Sequence, residues 1–87
     1  MIKPIVAANW KMNKVLSSGK IFISDLTSNV KEVDNLDIII CPPLTSLYNI
    51  NLKAPFYLGA QNFHYEDDGA YTGEVSINML KDCNVDY

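Results

Sequence analysis

Eighty-seven residues with seven lysines, no arginine and ten acidic side chains carry a formal charge of −3, and a chain of this length makes at most one domain. With 48% hydrophobic and 20% charged residues the composition is globular and excludes disorder, while the acidic balance leaves no footprint for DNA, RNA or an anionic membrane. No apolar run approaches the length needed to span a bilayer, and Met1-Ile2-Lys3-Pro4 lacks the apolar core and cleavage site of a secretory signal, so a cytoplasmic location is expected.

Pro4 to Trp10 is a short apolar run with proline at its entrance, where a missing N–H is tolerated. It lacks polar alternation, which predicts a strand buried on both faces of a parallel sheet. Ser17 or Ser18 can cap a helix running to about Val30, with Leu16, Ile23, Leu26 and Val30 on one amphipathic stripe. Gly19 weakens that helix by roughly 1 kcal/mol relative to alanine. Leu36 to Cys41 is a β-branched strand stopped by Pro42-Pro43. A short helix is predicted from about Thr45 to Ile50, and a third strand from Pro55 to Ala60.

Residues 61–75 form a long polar and aromatic loop. Ser76 then caps a short helix from Ile77 to about Cys83, with Asn84 at the left-handed position beyond it. Val85-Asp86-Tyr87 reads as the opening of a fourth strand, so the chain is expected to be cut at that point. Strands alternating with helices predict right-handed βαβ units on a parallel sheet. Such a sheet leaves unpaired edges, and poor cover is expected at β-branched stretches such as Ile38-Ile39-Ile40.

Parallel βα architectures place chemistry at the carboxyl ends of strands. This selects Asn9-Trp10-Lys11, Cys41-Pro42-Pro43 and Gln61-Asn62. Only the first joins a cation to a neutral amide: Lys11 suits a phosphate or a developing oxyanion, and Asn9 can orient a hydroxyl or carbonyl. The other candidates are bland. His64, the single histidine, reads as a solvated loop residue, and Glu66-Asp67-Asp68-Gly69 lacks the ligand spacing of a calcium loop. Cys41 and Cys83 fit no CxxC spacing and read as reduced, buried thiols. With one histidine they cannot complete a zinc site without carboxylates.

The stretch Ala8-Asn9-Trp10-Lys11-Met12-Asn13 resembles the opening of the triosephosphate isomerase family. Ile40-Cys41-Pro42-Pro43, Gly59-Ala60-Gln61-Asn62, Gly69 to Ser76 and Met79-Leu80-Lys81-Asp82 resemble later segments of that family in order and spacing. The resemblance implies that residues 1–87 are the first third of a single (β/α)8 TIM-barrel domain, cut at the start of strand four. It implies an enzyme interconverting dihydroxyacetone phosphate and glyceraldehyde 3-phosphate through an enediolate, without cofactor or metal. Asn9, Trp10 and Lys11 would be substrate-binding residues, Lys11 the electrostatic one, with Trp10 contributing backbone position. The family is a homodimer whose third loop enters the neighbouring subunit. Thr72 and Glu74 would centre that loop, Met12 would lie in the receiving pocket, and Gln61 would be on the interface side of the site.

Two departures accompany the resemblance. The family often has glycine where Lys14 stands here. Its chemistry also needs a carboxylate base and a neutral histidine, which the family carries beyond the position of Tyr87; His64 falls in the dimer loop and is no substitute. The fragment alone is therefore expected to be inactive. An alternative is a stand-alone βαβ module that binds anions or assembles without catalysis. A flavodoxin-like domain is disfavoured, because no glycine-rich or Ser/Thr-rich phosphate loop follows the first strand.

Overall fold

The computed structural model describes residues 2–30 and 33–87. Its sheet has three parallel strands in the order β1 (Ile5–Asn9), β2 (Asp37–Cys41), β3 (Phe56–Leu58). Ile5 faces Asp37 and Asn9 faces Cys41 across the first pair, and Ile40 faces Leu58 across the second. Helix α1 spans Leu16–Asn29 and α2 spans Ile77–Asp82. The α/β class and parallel βα order are as the sequence predicts.

Strand alternation sends Ile38, Ile40, Phe56 and Leu58 to one face of the sheet. There they join Ile23, Leu47, Ile50 and Leu80 in the core, with Leu26, Val30, Val75 and Val85 packed around it. The predicted stripe of α1 is thus its buried face. Ile39 and Ile40 are buried, which corrects the expectation of poor cover there: β2 is the central strand. The exposed strand is β1. All five of its residues are exposed, against the prediction of burial on both faces. It is an edge strand paired only with β2, and α1 departs from its tip to pack on the connection after β2.

Helix α1 starts one turn differently from the expected serine caps. Val15 is the N-cap, and Ser18 lies three residues in, where its hydroxyl accepts a hydrogen bond from the Val15 N–H at 3.1 Å. That is half of a capping box. In the last turn, Thr27, Ser28 and Asn29 donate side-chain hydrogen bonds back to the carbonyls of Ile23, Ser24 and Asp25, a habit that weakens helix continuation. Gly19 is fixed by a close approach: a Cβ there would lie 3.1 Å from the Trp10 ring.

Helix α2 follows its predicted signals. Ser76 Oγ accepts from the Met79 N–H at 3.2 Å. At the other end Asn84 has φ +62°, while Val85 N–H donates to Leu80 and Asn84 N–H to Lys81, the paired hydrogen bonds of a Schellman motif. No strand is assigned to 85–87. Even so, Tyr87 N–H donates to Leu58 and Ala60 N–H to the Tyr87 carbonyl, the pattern of parallel pairing opposite Gly59.

The helix expected at 45–50 is a single 3-10 turn, Leu44–Ser46. Asn49 adopts φ +55°, which ends any helical path. Leu47 and Ile50 nevertheless reach the core, so burial fixes this connection without regular structure.

Two stability predictions follow from the β1 flanks. Lys14 holds φ +69° with its ammonium 4.7 Å from the Phe22 ring. Left-handed backbone costs a non-glycine residue about 1–2 kcal/mol and the cation–π contact returns about 0.5–1 kcal/mol. Urea unfolding followed by Trp10 fluorescence should therefore rank Lys14→Gly above the parent and Lys14→Ala below it. At the amino ends of the strands, Lys3 Nζ lies 2.9 Å from Asp37 Oδ1, and this partner raises the lysine's pKa. A raised cation stabilises the fold fully below its unfolded pKa and ceases to do so as pH climbs through the folded value. Lys3→Met should thus be less stable at neutral pH, and the gap to the parent should close above about pH 10.5.

Candidate active site at the strand tips

The register brings the carboxyl ends of the strands together, and three side-chain amides then fix the loop after β1. Asn9 Oδ1 accepts from the Lys11 N–H at 2.8 Å. Asn13 Nδ2 donates to the Trp10 carbonyl at 2.7 Å. Gln61 Nε2, from the end of β3, donates to the carbonyls of both Lys11 and Cys41 at 2.9 Å. Trp10 N–H continues the ladder to the Cys41 carbonyl at 3.0 Å.

Lys11 is therefore held by both of its backbone groups, in a conformation with φ +56°. A non-glycine residue in this region is strained, and such strain collects at functional sites. Its side chain is exposed, so the ammonium meets solvent at the mouth formed by the three strand ends. The Trp10 ring points the other way, packing edge-on against Phe22 at 5.5 Å on the helix side. Asn9, Lys11, Cys41 and Gln61 are thus brought together, and Trp10 contributes backbone groups.

Inside the sheet, Gly59 opposes Cys41. A Cβ at position 59 would come within 2.6 Å of Cys41 Sγ, so the tips pack closely only because a side chain is absent. Burial pushes the Cys41 thiol above its ordinary pKa, which keeps it protonated and a poor nucleophile at neutral pH.

Met12 is 94% exposed beside this mouth, whereas Thr72 and Glu74 are exposed on the loop after β3, which builds its own support. His64 N–H donates to the Val75 carbonyl at 2.7 Å, and Glu74 N–H to Tyr71 at 3.0 Å. The His64 ring lies 4.7 Å from Tyr65 and 4.6 Å from Tyr71, with Nδ1 3.6 Å from Glu74 Oε2. His64 is half-buried: the expectation of a solvated histidine is corrected, because the aromatic residues flanking it in sequence fold back on it. The carbonyl of Cys41 and the amide of Asn13 complete the strand-tip arrangement; both lie in segments that the sequence singles out, but their hydrogen-bonding roles carry no signal of their own. Among the described residues, no group of His, Cys, Asp and Glu side chains could hold a metal ion, and no helix is long and apolar enough to cross a membrane.

Parallel βα units with a constrained cation at their strand ends define the class: the amino-terminal part of a (β/α)8 barrel. The family model for triosephosphate isomerase matches residues 4–87. Proteins named triosephosphate isomerase from Alkaliphilus oremlandii and Dictyoglomus turgidum are 45% and 47% identical, each match covering 100% of this chain and 36% of the relative. The chain belongs to the triosephosphate isomerase family, and it spans about a third of the length of these relatives.

The Gln61 clamp gives a direct test. Replacing it by methionine removes two hydrogen bonds, each worth about 0.5–1.5 kcal/mol, and should lower stability by roughly 1–3 kcal/mol. Gln61→Glu sets a carboxylate against two carbonyl oxygens, which favours its protonated form. Its stability deficit should shrink on acidification, since an acid with a raised folded pKa stabilises only while protonated. Equal pH profiles for the glutamate variant and the parent would refute the clamp.

Proposed function

We propose that this chain supplies the electrostatic part of an aldose–ketose isomerase site, acting on dihydroxyacetone phosphate and glyceraldehyde 3-phosphate as part of glycolysis and gluconeogenesis. The observation that carries the reading is Lys11, clamped through N–H and carbonyl in left-handed backbone at the strand mouth. A phosphorylated triose brings a dianion, and its enediolate intermediate develops further negative charge on oxygen. A fixed ammonium stabilises that growing charge without having to reorganise, so its effect is larger in the transition state than in the ground state. Asn9 spends its carbonyl oxygen on Lys11, leaving its amide N–H groups as candidate donors to the substrate.

Proton transfer itself requires a base and an electrophile, which this family's chemistry draws from a glutamate and a neutral histidine. This reading assigns the base and the electrophile to none of these 87 residues, and the 87 residues alone are expected to give no turnover. The proposal extends to a homodimer in the complete protein, with the Thr72–Glu74 loop entering a neighbour near its Met12. What supports this is a loop already held by His64 and its tyrosines, together with the exposure of Met12. Family membership favours this reading over a stand-alone module.

The test grafts residues 1–87 in place of the matching segment of the Dictyoglomus turgidum relative. If the graft isomerises triose phosphates, Lys11→Met should lower kcat by about 10²–10³ and weaken substrate binding, with the melting profile unchanged. Lys11→Arg should recover only part of the loss, because a planar fork does not reproduce a compact charge. Unchanged kinetics for Lys11→Met in a folded graft would remove Lys11 from the site.

A further inference from the structure

The second βα unit departs from the barrel plan. A (β/α)8 barrel follows each strand with a helix, but residues 42–55 hold only the 3-10 turn between β2 and β3. Without a helix there, one flank of α1 faces a cleft of about 490 Å³, a size typical of small-molecule pockets. From α1 the lining takes Lys20, Ile23, Ser24 and Thr27, whose spacing is that of a single helical face, and Val30 at the helix's C-cap joins them. The opposite wall is the connection itself, ending at Pro55 and Phe56 where β3 begins. The cleft therefore opens toward the amino ends of the strands, remote from Lys11.

We propose that this cleft binds a small amphipathic organic anion, a carboxylate carried on an apolar chain or ring. Two features select that chemistry. Ile23, Ile50 and Phe56 form an apolar floor, each buried in the core, which suits a hydrocarbon body rather than an inorganic ion. Among the described residues, Lys20 on α1 and Lys53 on the connection are the charged residues of the lining, and no carboxylate lines it. That local excess of positive charge sits in a chain of net charge −3, so it is not a sample of the general surface. Lys20 Nζ also lies 5.5 Å from the Tyr48 ring, and Asn49 and Asn51 of the same lining carry side-chain amide donors. A ligand lying tail-down on the floor would place its carboxylate between walls that each provide one ammonium. This site is independent of the isomerase reading.

The probe is octanoate, titrated into the 87-residue chain and followed by amide NMR shifts. Saturable shifts are expected at Ser24, Thr27, Asn49 and Asn51. Octyltrimethylammonium, with the same tail and opposite charge, should bind at least about tenfold more weakly, as should acetate, which has the charge without the tail. Lys20→Gln and Lys53→Gln are surface changes that leave the fold intact, and each should weaken octanoate by about 2–5-fold. Equal binding of the cationic and anionic probes would overturn the proposal. So would shifts confined to the exposed β1, or full affinity in both lysine variants. The same titration in the graft, where the rest of a barrel is present, decides the matter if the free chain gives a poorly dispersed spectrum: saturation there supports the site, and absence of shifts overturns it.

Discussion

β2 is hydrogen-bonded on both sides, receiving Trp10 N–H at Cys41 and Gly59 N–H at Ile40, and this double pairing fixes where everything else can be. Parallel strands in register end on the same side, so the segments leaving β1 and β3 emerge next to each other. Lys11 and Gln61, fifty positions apart in sequence, meet for that reason alone. The same pairing buries Ile40 completely and gives α1 and the connection after β2 a common floor. A slip of one residue along β2 would turn Ile40 out of the core and break the Gln61 clamp together. Stability and site geometry therefore depend on one register.

The strand tips also show where the chain accepts strain. Lys11 and Lys14 both adopt left-handed backbone within one short loop, a conformation that costs each about 1–2 kcal/mol. Lys11 is compensated by amide hydrogen bonds to its own backbone, from Asn9 and Gln61. Lys14 is compensated by the contact of its ammonium with the Phe22 ring. The two residues are alike in sequence and in φ, but the fold sets two hydrogen-bonding side chains on the backbone of the first and a ring contact against the second.

Much of this was legible in the sequence, because the signals were local. The β-branched Ile38 to Ile40, the helical spacing from Ile23 to Val30, and Ser76 with Asn84 at the ends of α2 each act within a turn or a strand. The family resemblance likewise rested on contiguous residues around Asn9 to Lys11. What could not be read depends on neighbours distant in the chain. The exposure of β1 follows from which strand takes the sheet's edge, and its apolar sequence says nothing of that. His64 looked solvated because Tyr65 and Tyr71 enclose it only once the loop closes. The helix expected from about Thr45 to Ile50 stops after one turn, because Asn49 adopts left-handed backbone that nothing in the local sequence announces.

Replacing the second helix by an irregular connection changes what holds β3 in place. A helix would satisfy its own backbone and present a broad apolar face; this connection instead relies on buried anchors. Leu47 and Ile50 enter the core, Phe56 N–H donates to Lys53 as the chain turns into β3, and Ile38 N–H reaches the Pro55 carbonyl at 2.7 Å. The last of these starts the β2–β3 ladder at its amino end, so the connection sets the register that Gly59 and Gln61 complete at the other end. Shortening the secondary structure here thus leaves the strand tips undisturbed while uncovering the flank of α1. The strand-tip geometry and the open cleft follow from the same economy: β3 is aligned by a few backbone contacts and two apolar anchors, and the surface a helix would have covered is left free.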